Sequence, residues 1–304
     1  MRSRALAVSV VLTFLCLSGC SLKTVAMKSL ADTVAEPGGV YQSDDDPELV
    51  KGALPVMLKI MEQLAAGLPK HENVRLALAR SFTSYSVAFV ADEGDRLNEK
   101  DVEAARAIYL RSRKLSLRAY KYGLEGLDIG VPGFTKAWTS NDRDARKRVL
   151  AQTKKEQVGL LYWTAAALGS AISVSKDDMK LVGDLPLVGE LMARARELDE
   201  SFDEGSIHEF YVQWAMQPNG GGPAKAREEL HKAVEQSHGK KLSPLVTFAE
   251  AVDVDQQNKK EFNELLQKVI AYDVDDDPDH RLVNVLAQRR AKWLLSRTSD
   301  LFAD

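Results

Sequence analysis

One pair of residues in the sequence has the spacing of a catalytic site. Ser173 and Lys176 match the Ser-x-x-Lys pattern, in which a serine nucleophile lies one helical turn from a lysine. The Ser-Asp-Asn and Lys-Thr-Gly segments that accompany this pattern are missing from the sequence. Without these companions, the pair is better interpreted as the end of a helix. We therefore predict that the protein is not an enzyme.

Metal and phosphate sites are not indicated either. The acidic segment 273–279 begins like a calcium-binding loop, but Pro278 stands where the turn glycine belongs and Asn284 where the closing glutamate belongs. The glycines of segment 220–222 lack the Gly-Lys-Ser/Thr sequence of a phosphate-binding loop. No cofactor and no metal ion is predicted. The histidines have no metal-ligand spacing; they are His71, His208, His231, His238 and His280.

Polar residues that interrupt apolar helical stripes leave two interpretations open. In the first, they form the hydrogen bonds and salt bridges that fix how helical hairpins stack. In the second, they line a ligand cavity, because pockets for small organic molecules combine aromatic walls with a few polar groups. The candidate lining residues are Tyr162, Trp163, Asp178, His208, Tyr211, Asn284 and Arg289.

The stretch 160–214 contains helices that would position several of these residues. Its first helix, over about 160–174, is apolar almost all round, which is typical of a buried helix. The apolar run is about 15 residues long, short of the roughly 18 that a membrane-spanning helix requires. We predict a central helix packed inside the domain, followed by two amphipathic helices over 181–202 and 207–214.

Apolar periodicity also indicates a repeat. Ala195, Ala233 and Ile270 occupy like places near the ends of successive helices, 38 and 37 positions apart. The tetratricopeptide repeat (TPR) has one helix pair in about 34 residues. The sequence therefore predicts a single all-α domain over 48–304, in which TPR-like helical hairpins form a right-handed superhelix around a groove. The other predicted helices are 48–68, 72–91, 100–123, 134–138, 142–155, 224–237, 244–255, 259–272 and 279–296.

The amino-terminal segment has the features of a bacterial lipoprotein signal. Arg2 and Arg4 precede an apolar run, as in secretory signal peptides. Residues 17–20 read Leu-Ser-Gly-Cys, which resembles a lipobox. The pattern predicts that residues 1–19 form a lipoprotein signal peptide. The alternative is an ordinary cleaved signal with a chance cysteine.

Cys20 would then become the lipidated first residue of the mature protein. Two or three acyl chains make a stable membrane anchor, and residues 20–47 would form the lipidated tether of a periplasm-facing domain. Ser21, in place of an aspartate, resembles signals for sorting to the outer membrane.

Composition places the chain in the ordinary globular class, with 45% hydrophobic and 28% charged residues. The formal net charge is −3, so the sequence has none of the basic surplus of a nucleic-acid-binding protein. The two cysteines, Cys16 and Cys20, both lie in the amino-terminal segment. The folded body then has no disulfide, which fits an oxidising compartment where a free thiol is a liability.

Short strings along most of the mature chain together resemble the T component of TRAP transporters, the tripartite ATP-independent periplasmic importers. The strings are DDDPEL (44–49), LYW (161–163), SKDD (175–178), DLP (184–186), ARELDE (195–200), GSIHEF (205–210), FxxLL (262–266), NxLAQRRAKWLL (284–295) and DLF (300–302).

The resemblance implies a function that composition and spacing do not give. It implies a lipoprotein accessory subunit that self-associates as a trimer with a pore through each protomer. It further implies pairing with the periplasmic solute-binding protein of a TRAP system, and transfer of a small, partly apolar organic ligand. The alternative from another class is a general envelope scaffold that binds protein partners only.

Overall fold

A computed structural model gives the fold and describes residues 22–36, 38–98 and 100–303. Within these ranges every regular element is a helix, which confirms the predicted all-α class. The predicted signal peptide and Cys20 lie outside the described residues. The helices are α1 (residues 22–35), α2 (Pro47–Gly67), α3 (Glu72–Tyr85), α4 (Asp92–Asn98), α5 (Val102–Gly130), α6 (Phe134–Trp138), α7 (Arg143–Gln152), α8 (Val158–Ser173), α9 (Met179–Val182), α10 (Leu185–Leu198), α11 (Ser206–Trp214), α12 (Gly222–Gln236), α13 (Ser243–Phe248), α14 (Lys259–Ala271), α15 (Arg281–Ser296) and α16 (Thr298–Leu301).

Two π-helical segments lengthen the helices that they follow. Ser86–Ala91 joins α3 to α4, so that one helix runs through residues 72–98. Ala249–Asp253 continues α13, so that a second helix covers residues 243–253. Short 3₁₀ turns occupy Gly39–Tyr41, Lys155–Gln157, Val274–Asp276 and Pro278–His280.

Helix α8 is the buried centre of the amino-terminal half, as predicted. It packs against α3, α5 and α10, and Leu161 and Leu168 are fully buried. The predicted loop that begins at Gly123 is instead the last part of α5, which runs on to Gly130. Gly123 and Gly126 face α8 so closely that a Cβ atom at either position would collide with an α8 side chain. These glycines therefore permit close helix packing rather than a turn.

Helix α1 lies in the segment that the sequence assigned to a tether, where no helix was predicted. Its inner face packs on the α2–α3 hairpin: Ala31 is fully buried, and Met27 contacts Gly67. Asp32 Oδ1 also lies 3.1 Å from His71 Nε2. The apolar stripe on this inner face of α1 is only two turns long, which is too short to stand out in the sequence.

The carboxyl-terminal half contains α10 to α15, whose neighbours along the chain pack on one another. The proposed repeat positions Ala195 and Ala233 are fully buried near the ends of α10 and α12. At the third position Val269 is the fully buried residue, whereas Ile270 is partly exposed. None of the described helices is long and apolar enough to cross a membrane.

Helix α15 returns to the amino-terminal part of the described chain. The Leu282 amide donates to the Gln42 carbonyl at 2.9 Å, and Arg281 donates to the Ser43 carbonyl at 3.0 Å. The next residues of the chain begin α2, which also packs on α15. The two ends of the domain are therefore held together.

Candidate functional site

Aromatic residues on α8 stand beside α3 and the α10–α11 loop. The rings of Tyr162 and Trp163 meet edge to face, with centroids 5.1 Å apart. Phe202 lies 5.3 Å from Tyr162 by the same measure. Gly159, one turn earlier on α8, faces both Leu76 of α3 and Phe202. Tyr162 and Trp163 are half-buried, so an apolar surface is partly accessible here.

Arg80 lies on α3, one turn after Leu76, and is also half-buried. Its Nη2 donates to the Ala35 carbonyl at the end of α1, at 3.3 Å. Burial lowers the pKa of the Arg80 guanidinium, and the nearby Asp203 carboxylate counteracts part of this effect. Among the described residues, no carboxylate lies within ion-pair distance of Arg80.

Asp203 is held by an unusual turn between α10 and α11. Asp203 and Glu204 have φ values of 49° and 50°, and Gly205 follows at 91°. These φ values are positive, and successive residues in the left-handed backbone region need support from the surrounding structure. Lys241 provides it, because its Nζ lies 3.1 Å from Asp203 Oδ2 and 3.3 Å from Ser206 Oγ.

Glu209 lies on α11 and is held by hydroxyl groups. Ser243 Oγ donates to Oε2 at 2.9 Å, and Thr247 Oγ1 donates to Oε1 at 3.2 Å. Burial raises the pKa of Glu209 and also raises the pKa of the Tyr162 hydroxyl, which the charges of Glu209 and Asp203 raise further. We call Arg80, Tyr162, Asp203, Glu209 and Lys241 the polar cluster.

A separate ion network lies between α10, α11 and α12. His208 and Glu229 are fully buried, and His208 Nδ1 forms a 2.6 Å hydrogen bond with Glu229 Oε2. Arg196 Nη1 donates to Glu229 Oε1 at 3.0 Å. Burial alone would raise the pKa of Glu229, but the hydrogen bonds from His208 and Arg196 lower it to about 2. Tyr211 stacks below Arg196, with the guanidinium carbon 4.7 Å from its ring centre. The network joins three helices.

Two other candidate lining residues lie at a helix end and between helices. Asp178 caps α9 by accepting from the Leu181 amide, and it pairs with Arg113. Asn284 is fully buried and bridges α15 to the α12–α13 loop, where it accepts from the Leu242 amide at 3.0 Å. Its Nδ2 donates to the Lys240 carbonyl at 2.8 Å.

Arg289 lies on the outer side of α15. Its side chain is 43% exposed and pairs with Glu48 at 2.7 Å. The structure therefore brings Tyr162 together with Trp163, and His208 together with Tyr211 through Arg196. Among the described residues, no hydrogen bond or ion pair links Asp178, Asn284 or Arg289 to either group.

Four members of the polar cluster were not among the candidate lining residues. Arg80 and Lys241 are isolated basic residues without a motif around them, and Asp203 lies in an acidic stretch typical of a solvated turn. Glu209 directly follows His208 between two apolar residues, which is the one signal that could have selected it. Only contacts between helices distant in the sequence bring these residues together.

Fold and site define an all-helical protein in which half-buried aromatic residues of α8 lie beside α3 and the α10–α11 loop. In the described ranges, no group of three or more histidine, aspartate or glutamate residues could hold a metal ion. The chain belongs to the TRAP transporter T-component family, whose model matches residues 43–302. The family comprises accessory subunits of transporters of the cell envelope rather than enzymes. A Treponema pallidum (strain Nichols) protein, described as uncharacterized, is 31% identical over an alignment of 305 positions that covers 94% of each chain.

Proposed function

We propose that the protein is a periplasm-facing TRAP subunit that binds the solute-binding component and receives or hands on a small organic ligand. The observation that carries the proposal is the family match, which spans nearly the whole described domain. We further propose that residues 48–304 form one TPR-like superhelix whose concave side holds the ligand. The packing of α15 against α2 and the half-buried rings of Tyr162 and Trp163 support this proposal.

Co-purification tests the partner. The lipoprotein, extracted from envelopes of cells that express it at natural level, should retain a TRAP solute-binding protein, identified by mass spectrometry. A matched control is an unrelated outer-membrane lipoprotein with the same tag. Repeated recovery of other envelope proteins without any solute-binding protein would refute the proposed partner and favour the scaffold function.

The proposed ligand contacts are the candidate lining residues, of which Tyr162 and Trp163 have the strongest structural support. Their rings are half-buried and adjacent, so they offer an apolar wall that a ligand can reach. Native mass spectrometry of the purified protein should reveal a co-purifying small molecule, and Trp163→Ala should lose it while keeping the native helix content. Loss of helix content would mean that Trp163 is required for packing.

We propose that acyl chains on Cys20 anchor the protein in the outer membrane. The outer face of α1 supports the anchor, because it exposes Leu22, Val25 and Leu30 only a few residues after Cys20. Exposed apolar residues beside an acyl chain can enter the lipid interface. Mass spectrometry of the mature amino terminus should find the acylated cysteine. A Cys20→Ser protein that stays in membranes would refute this anchor.

We also propose that the subunit is a homotrimer. Helix α2 exposes Leu49, Val56 and Ile60, which share one outward face and would be covered by a second copy. Sedimentation velocity should give a trimer for the wild type and smaller species for Val56→Glu. Val102→Glu, at an equally exposed apolar position on α5, serves as the control. A wild-type monomer at all concentrations would refute the trimer.

A further inference from the structure

Helix α1 exposes three large apolar side chains on the side that faces away from the domain. Leu22 is 73% exposed, Val25 is 63% exposed and Leu30 is 50% exposed. Ala31, on the opposite side of the helix, is fully buried. Three such residues on one short helix exceed the single apolar side chains that are scattered over an ordinary surface. The outward side of α1 therefore indicates a contact with something outside the described chain.

Two exposed lysines flank this apolar side. At 3.6 residues per turn, Lys23 lies about 100° from Leu22 in one direction around the helix, and Lys28 lies about 120° from it in the other. Lysines in these positions are typical of helices that lie in a lipid interface, because their apolar stems cover hydrocarbon while their ammonium groups reach the headgroups. Their charge also suits the phosphate groups of a bilayer surface.

The sequence places the proposed acyl anchor directly beside this surface. Leu22 is the second residue after Cys20, and two residues of fully extended chain span at most about 7 Å. Interfacial helices insert their apolar face about 5–10 Å into the boundary between headgroups and acyl chains. The first turn of α1 therefore stays at the membrane surface for as long as Cys20 is anchored there, and lipid is the occupant that its outward side meets.

The inward side of α1 fixes the helix to the rest of the domain. Met27 packs on Gly67, the last residue of α2, so closely that a Cβ atom added there would lie 2.2 Å from Met27 Cε. Asp32 Oδ1 lies 3.1 Å from Nε2 of His71, which directly precedes α3. Helix α1 is thus docked beside the α2–α3 turn. A docked helix transmits its own orientation to the domain, whereas a flexible tether does not.

We propose that α1 lies in the membrane interface with Leu22 and Val25 inserted among the lipids, and that it orients the domain with the α2–α3 turn toward the bilayer. The inference rests on the proposed acyl anchor and goes beyond it, because an anchor alone leaves the domain free to turn. The apolar side chains of α1 bury less surface than one myristoyl chain, which alone binds membranes only marginally. Helix α1 therefore directs the domain rather than holding it, and Cys20→Ser should still release the protein.

Spin labels on single cysteines test the inference in the lipidated protein, reconstituted in vesicles of phosphatidylethanolamine and phosphatidylglycerol. Beyond the signal segment the sequence has no cysteine besides Cys20, whose sulfur the proposed thioether occupies. Val25→Cys is compared with Val102→Cys on α5, because both valines are 63% exposed. Collisions of each label are measured with oxygen, which concentrates in lipid, and with a water-soluble nickel chelate. The label at position 25 should collide severalfold more with oxygen and severalfold less with nickel than the label at position 102.

Equal collision rates at the two positions would overturn the inference, because α1 would then lie in water. Infrequent collisions of the label at position 25 with both reagents would overturn it as well, because a second copy of the chain would then cover α1. If Val25→Cys does not fold, Leu22→Cys gives the same comparison. Wild-type protein that takes up the label has a free Cys20 thiol, which refutes the proposed anchor together with the inference. Equal collision rates in a protein whose Cys20 is blocked refute the inference alone.

Discussion

Asp253, at the end of the π-helical segment Ala249–Asp253, offers a test of the electrostatics of the fold. It is only 1% exposed, and among the described residues its Oδ2 atom has no hydrogen-bond donor. Burial raises the pKa of Asp253 to about 7, with a further contribution from the neighbouring Glu261 carboxylate. Arg227 donates to both oxygens of the Glu261 carboxylate, at 2.6 and 2.7 Å, so its charge mainly compensates Glu261 rather than Asp253.

This pKa shift makes stability depend on pH. An aspartate in the unfolded chain has a pKa of about 3.9, so folding raises the pKa of Asp253 by about three units. At about 1.4 kcal/mol per unit, the ionised group costs the folded state about 4 kcal/mol as an upper limit. Between the two pKa values the folded protein keeps a proton that the unfolded chain has released. The stability from this group is therefore full below about pH 4 and is lost as the pH rises through about 7.

Asp253→Asn has the same shape and cannot ionise, so it should remove this pH dependence. The free energy of unfolding of the variant minus that of the wild type should increase by about 3 kcal/mol between about pH 5 and about pH 8.5. Urea unfolding followed by circular dichroism at both pH values measures it. Asp255→Asn, two residues away and exposed, serves as the matched control. A flat or decreasing difference for Asp253→Asn would refute the reasoning.

Three further substitutions test the joints between helices, each measured by urea unfolding near pH 7. Glu229→Gln removes a buried anion that pairs with Arg196 and forms a hydrogen bond with His208, and should cost about 3 to 5 kcal/mol. In the wild type, this contribution should fade as the pH drops from about 4.5 toward about 2, the lowered pKa of Glu229. Asn284→Ala leaves the buried Leu242 amide without an acceptor and should cost about 2 to 4 kcal/mol. Gly205→Ala should cost about 2 kcal/mol or more, because φ is 91° there and the new Cβ would approach the Ala233 carbonyl oxygen to 2.9 Å. A loss below about 0.5 kcal/mol in any of them would contradict its assigned contact.

The sequence predicted most helices because apolar periodicity and capping residues report local structure. Asp46 illustrates this: it directly precedes Pro47, the first residue of α2, and caps the helix by accepting from the Glu48 and Leu49 amides. The same reasoning missed α1 and misinterpreted Gly123. A glycine in a sequence indicates either a turn or a close helix contact, and only the position of α8 decides between them.

The candidate site was harder to predict, because its polar groups come from distant helices. The sequence selected Tyr162 and Trp163, since aromatic residues on an apolar helix stand out locally. Arg80 occupies an ordinary helical position, and its burial depends on α1 and the α10–α11 loop packing over it. Periodicity gives the face of a helix but not which distant segment covers that face.

Arg290 explains why the closure of the domain and the polar cluster are connected. It pairs with Asp95, on the same continuous helix as Arg80, and with Glu250, on the helix 243–253 whose hydroxyl groups hold Glu209. Burial opposes the charge of Arg290, but hydrogen bonds and attraction from these carboxylates raise its pKa, so the guanidinium stays ionised. This one cation on α15 thus joins the helix that carries Arg80 to the helix whose hydroxyl groups hold Glu209. Arg290 therefore couples the helix of Arg80 to the hydroxyl groups that hold Glu209, although neither residue contacts α15 through this network.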